Sequence, residues 1–164
     1  MTNDPLPETG AAIAAADELR WAELADLVLI IAREIQFRPY TDERAIHLSQ
    51  SEGMVMRYLQ RPGEATPSRI AAATGLQRTN LSATLRSLEH KGLIERRAYP
   101  KDGRAVTVHA TERGISNYAL VRREWAAAVS AAAGGDQANL DAALAVLHAV
   151  EAGLVRMRPR TSIS

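Results

Sequence analysis

The stretch that decides the fold is residues 67–114, which read PSRIAAATGLQRTNLSATLRSLEHKGLIERRAYPKDGRAVTVHATERG. Thr66 and Pro67 predict a helix start, because threonine is a good N-cap and proline suits the first helical position. Gly75 suits the left-handed residue that ends a helix. A second helix is predicted over about 78–91, with apolar residues at one-turn spacing. The order predicts two short helices joined by a tight turn.

After the second helix the pattern changes from helical to alternating. Residues 93–98 predict a strand, and Val106, Val108 and Ala110 alternate with other residue types on a predicted return strand. Asp102-Gly103 lies between the two strands and is a typical hairpin-turn dipeptide. The segment therefore predicts a helix-turn-helix followed by a β-hairpin.

Longer helices are predicted on both sides of this segment. An apolar stripe predicts a helix from about Ala15 to Phe37, and Ser49 with Glu52 forms a capping-box pattern at the start of a helix ending near Gln60. Two further helices are predicted over about 111–133 and 137–157. The chain therefore reads as mostly helical.

Composition narrows the class of protein. The chain has 164 residues, of which 46% are hydrophobic and 4% aromatic, which fits one globular domain. The absence of cysteine excludes disulfides, thiolate metal sites and a thiol-based switch. No two of the four histidines lie at ligand spacing, so we expect no metal, and we also expect no cofactor. No signal peptide and no bilayer-length apolar run are found, so we expect a cytoplasmic protein without membrane contact.

The net charge of +1 conceals an uneven distribution. Residues 67–110 contain eight basic and three acidic residues, whereas the remainder contains 12 basic and 16 acidic residues. A basic block in an otherwise acidic protein indicates a surface that binds a polyanion. An ordinary solvated surface is the alternative, and charge alone does not separate the two.

A helix-turn-helix places its second helix in the major groove of DNA, where arginine reads guanine and asparagine reads adenine. A basic side chain on a narrow hairpin can enter the minor groove, and we expect Arg104 in that role. Asp102 is expected to stabilise the hairpin by pairing with Arg104 or Arg97. The predicted DNA-binding residues are Ser68, Arg78, Thr79, Asn80, Ser82, Arg86, Arg97, Lys101 and Arg104.

Three runs in the sequence resemble the MarR family of winged helix-turn-helix transcriptional regulators. They are Gly92-Leu93-Ile94-Glu95-Arg96-Arg97, Asp102-Gly103-Arg104-Ala105-Val106 and Thr111-Glu112-Arg113-Gly114. The resemblance extends over about residues 19–155. It implies a homodimer held by the first and last helices, a recognition helix at 78–91 and a wing tip at 99–104. It also implies that Asp102 and Arg104 are the family's Asp-x-Arg pair.

Two positions depart from the family pattern. Gln77 lies where the family often has a capping Asp or Ser, which predicts a weakly capped recognition helix. Gly103 lies where the family often has a further basic residue, which predicts a wing that holds phosphate less tightly.

The predicted fold is mostly α with a small β-hairpin wing, a winged helix-turn-helix flanked by N- and C-terminal dimerisation helices. We divide the chain into a disordered tail (1–14), an N-terminal dimerisation helix and linker (15–48), the winged helix-turn-helix (49–110), C-terminal dimerisation helices (111–157) and a tail (158–164).

The resemblance also implies a small effector between the dimer region and the DNA-binding lobes. Trp21, Arg33, Tyr40, His47 and Tyr58 lie on the segments that would line such a cleft. We expect an aromatic or anionic compound that weakens DNA binding by favouring a half-site spacing that does not match the duplex. Ordinary packing is the competing interpretation for Trp21 and Tyr58.

Taken together, these patterns predict a sequence-specific transcriptional regulator, a repressor rather than an activator, that binds a pseudo-palindromic operator as a homodimer. The alternative is a non-specific or architectural winged-helix DNA-binding protein. An enzyme is disfavoured, because the sequence contains no nucleophile elbow, phosphate-binding loop or metal triad.

Overall fold

The computed structural model describes residues 8–99, 102–135 and 137–158, with side chains over 15–98, 106–135 and 137–158. Within these ranges the elements are α1 (Glu8–Phe37), α2 (Gln50–Leu59), α3 (Pro67–Thr74), α4 (Arg78–His90), β1 (Ile94–Tyr99), β2 (Asp102–Ala110), α5 (Glu112–Ala132) and α6 (Leu140–Met157). The predicted class, mostly helical with a small β wing, is confirmed. None of the helices in the described ranges is long and apolar enough to cross a membrane. The chain divides into two units, 1–39 and 40–164, which are described separately.

The first unit contains α1, which begins earlier than the sequence analysis placed it. The helix starts at Glu8 rather than Ala15, so part of the predicted disordered tail is helical. Alanine has the highest helix propensity, and the alanine-rich run at the start of the chain extends the helix. Along the predicted apolar stripe, Leu27, Val28 and Ile31 are exposed.

In the second unit, the predicted helix starts are confirmed in atomic detail. The Ser49 hydroxyl accepts from the Glu52 amide at 3.3 Å, and the Glu52 carboxylate accepts from the Ser49 amide at 2.7 Å, which completes the capping box. The Thr66 hydroxyl caps α3 by accepting from the Arg69 amide. Gly75 ends α3 with φ of 74°, the left-handed conformation that glycine adopts readily.

The core lies where α2, α3, α4, the hairpin and α5 meet. Leu81, Leu85 and Leu88 bury one face of α4, as the one-turn spacing predicted. Their neighbours in the buried cluster are Leu48, Val55, Met56, Ile70, Leu93, Val108 and Val121. The opposite face of α4 is left to solvent.

The hairpin forms, but its turn lies elsewhere than predicted. β1 and β2 pair antiparallel from Ile94 opposite Ala110 to Ala98 opposite Val106, and the register then shifts so that Tyr99 lies opposite Asp102. Asp102 and Gly103 therefore belong to β2, and the prediction of a turn at this dipeptide is wrong. β1 ends at Tyr99 and β2 begins at Asp102, so the predicted turn dipeptide lies at the start of β2.

The start of α5 packs directly on the start of the hairpin. A Cβ on Gly114 would lie 1.9 Å from the Leu93 carbonyl oxygen, so only glycine fits there. The Thr111 amide donates to that oxygen at 3.1 Å, and the Thr111 hydroxyl donates to the Gly92 carbonyl at 2.8 Å. These contacts join the wing to α5.

Side chains of α5 hold the linker that precedes α2. The buried Asn117 amide accepts from the Ile46 amide at 2.7 Å and donates to the Ile46 carbonyl at 3.0 Å. The Glu124 carboxylate accepts from the Thr41 amide at 2.7 Å and the Asp42 amide at 3.3 Å. The path of the linker is thereby determined by hydrogen bonds to its backbone.

The C-terminal helix meets the winged helix-turn-helix through polar contacts that include an ion pair and a bond to a backbone carbonyl. Arg57 on α2 pairs with Glu151 on α6 at 3.1 Å. The Arg158 guanidinium, just beyond α6, donates to the Ala73 carbonyl at 2.9 Å at the end of α3. Apolar side chains on α6 nevertheless remain exposed: Leu140, Leu144, Leu147, Leu154, Val155 and Met157.

Candidate nucleic-acid interface

The outer face of α4 carries the polar residues that were predicted to contact DNA. Arg78, Thr79, Asn80, Ser82 and Arg86 are all exposed. Arg78, Ser82 and Arg86 follow at four-residue steps, which places them along one edge of the helix. The structure therefore brings the predicted major-groove residues together on one solvent-facing surface.

Among the basic side chains described in residues 67–98, those outside α4 are paired with carboxylates. Arg69 lies 3.6 Å from Glu64, and Arg96 lies 3.2 Å from Glu89. Arg97 pairs with Glu95, and Lys91, the residue after α4, pairs with Glu52. Within the same described segment, Arg78 and Arg86 form no ion pair. Free positive charge in this segment is thus concentrated on the outer face of α4.

The start of α4 is open, as the sequence predicted. Gln77 occupies the N-cap position and makes no side-chain capping hydrogen bond. The first amides of a helix have no partners within the helix and carry a partial positive charge. Arg78 lies next to these amides, so the N-terminal end of α4 combines two features that favour an anion.

The remaining predicted DNA contacts lie outside α4. Ser68 is exposed in the first turn of α3, with its hydroxyl 3.1 Å from that of Thr66. Arg97 is exposed on β1, and its carboxylate partner is Glu95. Lys101 and the side chains of Asp102 and Arg104 lie outside the described residues, so the minor-groove role of Arg104 stays a prediction.

The structure also shows a buried polar cluster that sequence analysis missed. Glu52, with 3% of its surface exposed, accepts from the Ser87 hydroxyl at 2.8 Å and from the Lys91 ammonium at 2.7 Å. Lys91 also donates to the His47 carbonyl at 2.9 Å. Burial raises the pKa of Glu52, but the bonds from Lys91, Ser49 and Ser87 outweigh it and hold the pKa below its ordinary value.

Among the predicted effector residues of the second unit, Tyr40 and His47 lie together, whereas Tyr58 lines a cavity. Tyr40 and His47 stack, with ring centroids 5.3 Å apart and planes inclined at 24°. Tyr58 lines a cavity of about 280 Å³, and neither Tyr40 nor His47 is among the residues that line it. Trp21 and Arg33 lie on α1, in the other unit, where the Arg33 guanidinium is 5.7 Å from the centre of the Phe37 ring.

A comparison with known protein families finds a match to the region that carries this surface. Residues 48–105, from the residue before the α2 cap to the wing, match the model described as the MarR family. The winged helix-turn-helix of this chain is therefore similar to the MarR family over this region. The matched region contains α2, α3, α4 and β1, and it therefore includes both the open face of α4 and the Glu52 cluster.

Individual relatives agree with the MarR assignment. An uncharacterized HTH-type transcriptional regulator of Mycobacterium leprae is 27% identical over 107 residues, which is 63% of this chain and 72% of the relative. The organohalide-sensing regulator RdhR, solved with 2,4-dichlorophenol bound, has a TM-score of 0.64 at 16% identity, with 91% and 87% of the two chains covered. The repressor CouR, solved on a 23-mer DNA duplex, has a TM-score of 0.54 at 21% identity, with 91% and 99% covered. The structural likenesses establish the fold, and the matched family and the curated relatives are transcription regulators.

Proposed function

We propose that this chain is a sequence-specific transcriptional repressor that inserts α4 into the major groove of an operator. The observation that carries the proposal is the free charge of Arg78 and Arg86 on the exposed face of α4. A guanidinium already paired with a carboxylate must lose that partner to bind DNA, whereas these two can contact a base edge or a phosphate directly. Thr79, Asn80 and Ser82 supply the short polar groups suited to base edges.

Exposed apolar surface supports a homodimer. On α1, side chains as large as Leu19, Trp21 and Phe37 are 72%, 58% and 75% exposed, and α6 has a comparable series ending in Met157 at 73%. Monomeric soluble proteins rarely leave so much apolar surface in contact with water. Pairing of two copies through these helices presents two α4 helices, which suits a pseudo-palindrome with half-sites about 10 base pairs apart.

A small aromatic or anionic ligand is proposed to modulate binding. CouR was solved with DNA and RdhR with a chlorinated phenol, so the shared fold accommodates both kinds of partner. In this chain the stacked Tyr40 and His47 provide an aromatic surface on the linker. Trp21, Arg33 and Tyr58 remain predicted contributors. The ligand acts by favouring one arrangement of the DNA-binding units over another.

The proposal is tested by fluorescence anisotropy on a duplex selected from random DNA and on a scrambled duplex of equal length. We expect the selected duplex to be preferred by about a thousandfold or more at near-physiological salt. Arg86→Ala should weaken binding and reduce the salt slope by about two, because each protomer of the dimer loses one contact. Arg122→Ala removes the same charge from an exposed position on α5 and serves as the matched control, with affinity unchanged.

The alternative functions give different results in the same assay. Similar affinity for both duplexes with a steep salt dependence would identify an architectural DNA-binding protein. Equal losses in the Arg86 and Arg122 variants would show that overall charge, rather than α4, governs binding.

Two further variants test the roles of single residues. Asn80→Ala should relax base preference at one position per half-site, and Arg104→Ala should weaken binding while the dimer stays intact.

A further inference from the structure

We propose that the Glu52–Lys91 pair positions the recognition helix, so that it determines operator affinity and specificity without contacting DNA. The proposal rests on the proposed function, because it assigns a cause to the orientation of α4. It concerns residues that the sequence analysis did not include among the DNA contacts.

One buried carboxylate joins the start of α2 to the C-terminal end of α4. Glu52 lies in the first turn of α2, Ser87 in the last turns of α4, and Lys91 immediately after α4. Its Oε2 atom accepts from the Ser49 amide, while Oε1 accepts from the Ser87 hydroxyl and both oxygens accept from Lys91. A capping box requires only the first of these bonds, so the remaining bonds serve the attachment of α4 to α2.

Lys91 has no capacity left for DNA. An ammonium group donates three hydrogen bonds, and those of Lys91 reach both Glu52 oxygens and the His47 carbonyl. Its side chain is 28% exposed and that of Glu52 is 4% exposed. The charge of Lys91 is therefore paired with a carboxylate within the protein, unlike the charges of Arg78 and Arg86.

The Glu52–Lys91 pair can affect the position of α4 because the two ends of this helix are attached differently. The N-terminal end has no side-chain cap, whereas the C-terminal end is attached to α2 and, through the His47 carbonyl, to the linker. Rotation of α4 about its attached end would move Arg78, at the far end of the helix, the most. Loss of the pair should thus misplace the groove-contacting side chains while leaving them chemically unchanged.

The test uses Lys91→Met and Glu52→Gln in the full chain, with Glu89→Gln as the matched control. Glu89 lies on α4 and pairs with Arg96 on the protein surface, so this variant removes one carboxylate charge without touching the cluster. We expect each cluster variant to lose about tenfold in affinity for the selected duplex, with unchanged affinity for the scrambled duplex and an unchanged salt slope. The double variant should lose less than the product of the single losses, because both changes break one interaction.

Four outcomes would count against the proposal. A salt slope reduced by about two in Lys91→Met, one for each protomer, with equal losses on both duplexes, would mean that Lys91 contacts phosphate. Unchanged operator affinity of the folded variants, despite a lower Tm, would mean that the cluster serves stability alone. A wild-type chain without preference between duplexes would remove the proposed function itself. Faster hydrogen exchange of the amides at the end of α4 in Lys91→Met, without DNA, is expected independently, and unchanged exchange would contradict the attachment.

Discussion

Gly114→Ala should destabilise this protein strongly, although it adds only one methyl group to a helix. The new Cβ would lie 1.9 Å from the Leu93 carbonyl oxygen and 2.8 Å from the Leu93 carbonyl carbon. Both are backbone atoms, which no side-chain rotation can move aside. The first turn of α5 must therefore shift away from β1 by more than an ångström.

The size of the effect follows from what that shift breaks. Thr111 donates two hydrogen bonds across this contact, to Leu93 and to Gly92, each contributing about 1 kcal/mol. Overpacking adds roughly 1–3 kcal/mol, and the higher helix propensity of alanine returns up to about 1 kcal/mol. We expect a net loss of about 3 kcal/mol, which corresponds to a fall in Tm of roughly 6–12 °C for a chain of this size.

Two other helical glycines provide controls with the same chemical change. At Gly153 the nearest atom to a new Cβ would be an Arg156 nitrogen at 3.9 Å, an ordinary contact, so Gly153→Ala should stabilise by about 0.5–1 kcal/mol. At Gly53 the nearest atom is Cη2 of Trp125 at 3.2 Å, and the helix-propensity gain should roughly cancel the crowding.

The assay is urea unfolding followed by circular dichroism, at one protein concentration because association would contribute to stability. The expected order of stability is Gly153→Ala, then wild type with Gly53→Ala, then Gly114→Ala. A Gly114→Ala variant within about 0.5 kcal/mol of wild type, the usual range for neutral surface changes, would refute the close packing of α5 on β1.

Three smaller changes test other parts of the structure. Gln77→Ser should stabilise α4 by about 1 kcal/mol in thermal unfolding, since serine supplies the missing N-cap acceptor, and an unchanged Tm would show that the first amides are already satisfied. Arg44 donates side-chain and backbone hydrogen bonds to Asp42 that lower its pKa from 3.8 to about 2. The stability that these bonds contribute is complete above the pKa of unfolded Asp42 and is lost as the pH falls through the folded value. The small stability advantage of wild type over Asp42→Asn should therefore disappear between about pH 4 and pH 2. A stability difference that does not depend on pH would contradict this prediction. Arg158→Gln should cost about 1 kcal/mol because the Ala73 carbonyl loses a charged donor, and equal stability would show that water replaces the guanidinium.

Features of this fold that depend on neighbours within one helical turn were predictable from sequence. The capping box of Ser49 and Glu52, the cap at Thr66, the left-handed Gly75 and the buried leucines of α4 all follow from residue types at fixed spacings. The open N-terminus of α4 was predicted in the same way, from a glutamine at a position that favours Asp or Ser.

Features that depend on tertiary contacts were not predictable. Glu52 was recognised as a capping residue, but its bonds to Ser87 and Lys91 join positions 35 and 39 residues apart, and no local pattern indicates them. Asp-Gly is typical of a hairpin turn, but Tyr99 lies opposite Asp102 and β2 includes this dipeptide, and the register between two strands is not a local property. The ion pairs of the basic block were likewise not predictable, because they form only when the fold brings acidic and basic side chains together, as with Arg96 and Glu89.

The pairing of those basic residues has a consequence for how the protein searches a chromosome. The field of an ion pair falls off faster with distance than that of a single charge, so Arg69, Arg96 and Arg97 contribute little beyond their immediate surroundings. If α4 reads DNA as proposed, this part of the surface attracts non-operator DNA only at short range. The attraction also depends on the orientation of the protein relative to the duplex. Collisions in other orientations are brief, which shortens the time spent sampling each wrong site.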